Sequence, residues 1–260
     1  MTVLAGLTWR EAQVALAEAR LALIPVGSLE QHGPHLSLDT DAAVAEAFAH
    51  RLEADLGETA VLCPPVGYGL SEHHLGFPGT MTLRPDSLTS VLLDLVESLA
   101  HWDVRRVLVV NGHGGNIDAV RLVARRARRD LGSLVSAVMW AQLAADEIAT
   151  RVSSPTYGHA CEVETSVAMV LVPDRVFPER IAEPGKRRSV DPLTDPPLGR
   201  VDQAVWMHEW TDDGALGDPR FASIELGEAV VGVAHRRALD FARRFAVAPL
   251  PDRDPGSPRD

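Results

Sequence analysis

Short runs of aliphatic and β-branched residues alternate along this chain with stretches whose apolar positions recur every three or four residues. That is the pattern of buried strands spaced by covering helices. Thr8 predicts the N-cap of a first helix reaching Arg20, and Glu11, three residues on, completes a capping-box pattern. LALIPVGS (21–28) follows as a buried strand, and a second helix runs from about Asp41 to Ala54. TAVLCPPV (59–66) reads as the next strand and leads into the turn-rich segment GYGLSEHHLGFPGT. A helix beginning near Pro85 puts Leu88, Val91, Leu92, Leu95 and Leu99 at helical spacing. Strand RVLVVNG (106–112), a helix over 117–130 and strand LVSAVMWA (134–141) come next, while TSVAMVLV (165–172) is too short for its length to separate helix from strand. From Pro173 to about Gly217, Pro, Asp, Arg and Gly dominate without periodicity, predicting a long loop over the core or a contact between subunits. A last helix spans about Ser223 to Phe245. The order of elements predicts one α/β domain over residues 1–246, with a mostly parallel sheet covered by helices, and a disordered tail over 247–260.

Composition narrows the setting. With 260 residues and 46% hydrophobic content the chain can bury a large core, and a net charge of −11 argues against nucleic acid or an anionic membrane as partner. The basic cluster from Arg121 to Arg129 reads as the solvated face of a helix. Cys63 and Cys161 are too few for a disulfide framework, no basic leader precedes an apolar run, and no apolar stretch is long enough for a membrane span. A reduced, cytoplasmic protein is expected.

Three polar clusters interrupt the apolar runs. In SLEQHGPHLSLDTD, Glu30 and His32 lie two apart in an extended segment and so share one face. Asp41 sits at the start of the following helix, where a carboxylate also serves as a cap, and Asp39 competes with it for either role. His35 reads as a loop or supporting residue. In VVNGHGGN, His113 stands on an elbow cleared by Gly112, Gly114 and Gly115, with Asn116 placed to cap the next helix. In GHACEVETS, His159, Glu162 and Glu164 fall within one or two turns, and Cys161 reads as a small buried residue rather than a ligand. Sites in open α/β sheets form beyond the carboxyl ends of strands, where Glu30, His32 and His113 all fall. A mixed set of carboxylates and imidazoles suits two divalent ions and a bridging hydroxide, the chemistry that hydrolyses an unactivated amide. A histidine left free, such as His159, would protonate the leaving nitrogen.

Taken with GLSEHHLGFPGTMTL, these segments resemble the successive motifs of the creatininase (creatinine amidohydrolase) family over most of residues 7–246. The resemblance implies a three-layer α/β fold, a dinuclear zinc, manganese or iron site, and a homo-oligomer, often a hexamer built from dimers. It implies Glu30, His32, Asp41 and His113 as metal ligands with Asp41 bridging, places His159 near the scissile amide, and sets Glu164 in the family's ETS motif. Creatininase proper carries a Tyr-Glu pair after the elbow histidine, the Glu being a ligand, where this chain has Gly114 and Gly115. A fifth ligand must therefore come from elsewhere: Glu164 is the first choice and Glu162 the second. Ser71, His73 and His74 are expected at the pocket mouth, in contact with substrate, chiefly through Ser71 and His74, or with another subunit, and Trp140, Trp206 and Trp210 to be core or interface residues. The expected substrate is a small molecule with a non-peptide C–N amide bond, a cyclic amide or formamide. The alternatives are a peptidase of the mycofactocin-maturation type, a mononuclear zinc hydrolase using Glu30, His32 and His113, and a metal-binding regulatory homologue without turnover.

Overall fold

A computed structural model of the protein describes residues 2–154, 158–182 and 204–251. Its centre is a four-stranded parallel sheet of β1 (Leu21–Val26), β2 (Ala60–Leu62), β3 (Arg106–Asn111) and β4 (Leu134–Val138), in the order β2-β1-β3-β4. Alternate side chains of each strand leave by opposite faces. Leu21, Leu23, Leu108 and Val110 enter one apolar layer, and Ala22, Ile24, Val107 and Val109 enter the other. The first layer is closed by α2 (Thr40–Leu56), α7 (Glu162–Leu171) and α9 (Ile224–Phe245), the second by α3 (Pro85–His101) and α4 (Ile117–Arg126). α1 (Trp9–Glu18) begins at the expected capping box, with Thr8 and Glu11 each accepting from the other's backbone N–H.

Several expectations change in detail. Residues 165–172 are helical, as part of α7, whose Val163, Val167 and Ala168 are buried in the first layer. The fourth strand stops at Val138, and Trp140 instead opens a short helix α5 (Trp140–Leu143) that leads into α6 (Ala145–Arg151). The second strand is only three residues long, because Pro64 and Pro65 have no N–H to donate to a ladder. The expected loop at 173–217 holds two single turns and α8 (Met207–Trp210) among its described residues; 183–203 and, in the tail, 252–260 lie outside them. No helix among the described residues is long and apolar enough to cross a membrane.

The chain crosses from β1 to β2 on one side of the sheet and from β3 to β4 on the other. The carboxyl ends of β1 and β3 therefore frame a topological switch point, the crevice where open α/β sheets bind ligands.

Candidate metal centre

Two glycines let this crevice close tightly. A Cβ on Gly27, just after β1, would lie 2.3 Å from the Ala42 backbone, and one on Gly112, just after β3, 2.2 Å from the Asp41 carbonyl oxygen. Without them the first turn of α2 could not seat on both strand ends. Seated there, Asp41 meets Glu30, and the buried Ser28 hydroxyl lies 2.8 Å from both Glu30 Oε2 and Asp41 Oδ2. Asp39 is not in the crevice: it accepts from the Ser37 hydroxyl and the Arg175 guanidinium.

Each Asp41 oxygen faces a different imidazole. Oδ1 is 3.1 Å from His32 Nε2, and Oδ2 is 3.0 Å from His113 Nδ1. The far nitrogens are committed to carbonyls, with His32 Nδ1 3.2 Å from the Glu30 carbonyl and His113 Nε2 2.9 Å from that of Leu70. Carbonyls only accept, so both far nitrogens carry protons, and a neutral ring presents a lone pair to Asp41. Two acceptors so close need a cation between them, and without a metal that cation is a proton. Burial alone would lower His32, but Asp41 and then Glu30 raise it to about 10; Glu30 and Asp41 likewise overcome burial to raise His113 to about 9. Burial opposes the Asp41 charge, yet His32 and His113 hold its carboxyl well below the usual range. Burial pushes the Glu30 carboxyl up, against His113.

His159 approaches from the strand-like segment before α7, where it pairs with Leu216. Its Nε2 donates to the Gln31 carbonyl (2.7 Å), so Nδ1 faces inward, 3.8 Å from Glu30 Oε1 and 3.9 Å from Glu164 Oε2. The next residue, Ala160, has a left-handed φ of 48°, a conformation that costs a non-glycine about 1–2 kcal/mol. It aims the Ala160 N–H at Glu164 Oε2, 2.5 Å away. Burial raises the Glu164 carboxyl to about 7, against His32. Glu162 faces elsewhere, its carboxylate accepting from the backbone N–H groups of Ser153 and Ser154. It is thus spent on a loop, and of the two candidates it is Glu164 that stands beside His159.

Ser71 and His74 are buried walls of the site rather than mouth residues. Their loop is held in by Asn116, whose side chain accepts from Leu70 N–H and donates to the Gly27 carbonyl and to Asn111 Oδ1 instead of capping α4. His74 Nε2 lies 3.3 Å from Glu30 Oε1, and its other nitrogen meets the Gln31 amide. His35 is also buried and bonds Thr165, a supporting role. Cys161 and Trp140 are core, while Trp206 is exposed.

The donor set fits divalent metal. Glu30 Oε1 is buried with no hydrogen-bond partner, and among the described residues no Arg or Lys pairs with Glu30, Asp41 or Glu164. Buried carboxylates without a fixed counter-charge are costly unless a cation joins them. Glu30, Asp41 and His113 each place a donor atom within 4.8 Å of the others, and Glu30, His32 and His159 do the same.

A family model described as creatininase, creatinine amidohydrolase, matches residues 5–242. The chain belongs to the creatininase family. It is 33% identical over 242 residues to a mycofactocin precursor peptide peptidase of Mycolicibacterium smegmatis, covering 90% of this chain and 87% of that protein. A solved creatininase in a manganese form matches with a TM-score of 0.77 at 26% identity, over 95% of this chain and 99% of that one. A Glu-to-Gln variant of creatininase in a Zn-Zn form matches with a TM-score of 0.75 at the same identity and coverage. This creatininase-family member is thus a hydrolase, a metal-dependent amidohydrolase, and the manganese and zinc forms among its solved relatives accord with the donor clusters described above.

Ser28, Gln31, Asn111 and Asn116 were not singled out as site-forming by sequence reasoning. For Ser28 and Asn111 the available signal was a small polar residue beside glycine at a strand end, where burial without a partner would be costly.

Proposed function

We propose that Glu30, Asp41 and His113 hold one divalent ion and His32, Asp41 and Glu164 a second, each zinc, manganese or iron, with Asp41 shared. The observation that carries this reading is the division of Asp41, one oxygen to each imidazole. When bound, such ions supply a water acidic enough to ionise near neutral pH and Lewis acidity at an amide carbonyl. His159 accepts a proton at Nδ1, the nitrogen left free by the Gln31 carbonyl, and delivers it to the leaving nitrogen. Ser28 holds the Glu30 and Asp41 carboxylates in register.

The amide is read as that of a precursor peptide, the substrate named for the Mycolicibacterium relative. Space supports this: nothing lies within 4 Å of a Cβ built on Gly114, beside His113, where creatininase proper carries a bulky residue. A cyclic amide or formamide is the second reading, favoured by likeness to creatininase across most of the chain. The protein is expected to assemble as a homo-oligomer, which light scattering measures.

The test sets metal-reconstituted protein against short peptides, creatinine and formamides, with Asp41→Ala as control. Peptide cleavage that disappears on chelation and returns with metal supports the proposal. Activity surviving thorough chelation overturns the metal role, one metal per active chain overturns the dinuclear reading, and turnover of creatinine or formamides alone moves the substrate to the second class. His159→Ala is expected to keep its metal and lose turnover; loss of metal instead would make His159 a ligand.

A further inference from the structure

Gln31 lies between two of the proposed ligands, and all of its polar groups are engaged. Its backbone N–H donates to Thr80 Oγ1 (3.2 Å) and its carbonyl accepts from His159 Nε2 (2.7 Å). Its side-chain oxygen accepts from Gly33 N–H (3.0 Å), and its side-chain nitrogen lies 3.1 Å from the Gly214 carbonyl and 2.9 Å from His74 Nδ1. Gly33 N–H can only donate and the Gly214 carbonyl can only accept, so the amide has one orientation. Its NH2 group spends one proton on Gly214 and aims the other at His74 Nδ1.

Two tautomers follow. His74 Nδ1 must accept, which places the His74 proton on Nε2, 3.3 Å from Glu30 Oε1. His159 must donate through Nε2, which leaves an Nδ1 lone pair facing the same Glu30 oxygen at 3.8 Å. We propose that Gln31 is a positioning residue that sets both tautomers, turning the N–H edge of His74 toward Glu30 Oε1 and the lone-pair edge of His159 toward the same oxygen. The side-chain amide does the first and the main-chain carbonyl the second. Glu30 Oε1, which has no hydrogen-bond partner, thereby faces an N–H on one side and a lone pair on the other. The inference rests on the metal-site reading for its consequence in turnover, but not for the tautomers themselves.

The experiment reads imidazole 15N shifts of His74 and His159 in the metal-free protein, then kcat and KM after loading with zinc. Both rings of the unaltered protein should carry their proton on Nε2. Gln31→Glu replaces the NH2 by an acceptor and should move the His74 proton to Nδ1 while His159, bonded to the main chain, stays as it was. Gln31→Met keeps the volume without the hydrogen bonds and should leave His74 as a mixture, so the proposal stays testable if the charged variant does not fold. In both variants kcat should fall about 10–100-fold, the range for residues that orient ligands, with KM less affected. An unaltered Nε2–H tautomer at His74 in both variants, a switched His159, or a switched His74 with unchanged kcat would each overturn it. If the unaltered protein turned over no amide while the tautomers behaved as described, the function would fail and the positioning role would stand.

Discussion

Replacing Gly115 by alanine tests how the elbow after β3 is built. A Cβ there would lie 2.3 Å from the Leu70 carbonyl oxygen and 2.5 Å from His113 Nε2. Ordinary contact needs about 3.4 Å, so the Leu70 carbonyl must retreat by roughly 1 Å, which stretches its 2.9 Å bond to His113 beyond a working length. A buried donor left unpaired costs about 1–3 kcal/mol, and forcing a methyl into packed backbone about as much again. The expected loss is about 2–6 kcal/mol in urea denaturation of the metal-free protein, with weaker metal binding by calorimetry because His113 loses the bond that fixes its tautomer. Gly114→Ala is the control, since nothing lies within 4 Å of its Cβ, and it should move stability by no more than about 0.5 kcal/mol. Equal denaturation midpoints and metal affinities for the two variants would refute the reasoning. The same clash explains why a glutamate ligand cannot stand at 115 in this chain: the Leu70 carbonyl occupies its path.

Glu162→Gln should destabilise the fold by about 1–3 kcal/mol and leave metal affinity unchanged, because its carboxylate serves Ser153 and Ser154. Glu164→Gln should do the reverse, lowering metal affinity about 10-fold or more with little loss in the metal-free protein; equal effects of the two would sink the assignment. In the metal-free protein, folded-state values raised to about 10 at His32, 9 at His113 and 7 at Glu164 mean that folding takes up protons, so their stabilisation is complete at low pH and is lost as pH rises through those values. The chelated protein's denaturation midpoint should therefore fall from about pH 6.5 to pH 10 while the loaded protein changes less, and a rising midpoint for the chelated form would contradict it. Burial pushes the Cys63 thiol up to about 12 and the Cys161 thiol to about 11, so neither should be alkylated by iodoacetamide at pH 8 while the chain is folded.

The fold was legible wherever the apolar pattern was backed by a local signal. The Thr8–Glu11 capping box, the β-branched runs of β1 and β3, and the spacing of Leu88, Leu92 and Leu99 all carried through. It was least legible where apolar residues continue across an element boundary, as at Val138–Ala141, because hydrophobicity marks burial and not the point where strand gives way to helix. Asn116 shows the same limit for polar residues. Its type and place suit a cap, but the tertiary structure supplies three buried partners, which take precedence over an exposed helix end.

At the site, the residue types were legible and the directions of their side chains were not. Glu162 and Glu164 are two apart at the start of α7, and in an α-helix such residues point about 200° apart around the axis, so only one can enter the crevice. Composition cannot choose between them, because both are acidic, both lie in the first turn and both gain from the helix dipole. The choice is made by the preceding chain. The left-handed Ala160 lets His159 pair with Leu216 and offers its own N–H to Glu164, which leaves Glu162 facing the amides of Ser153 and Ser154. Substituting glycine at 160, which adopts that φ without strain, should therefore keep Glu164 in place and retain metal affinity, whereas a β-branched valine should release Glu164 and lower it.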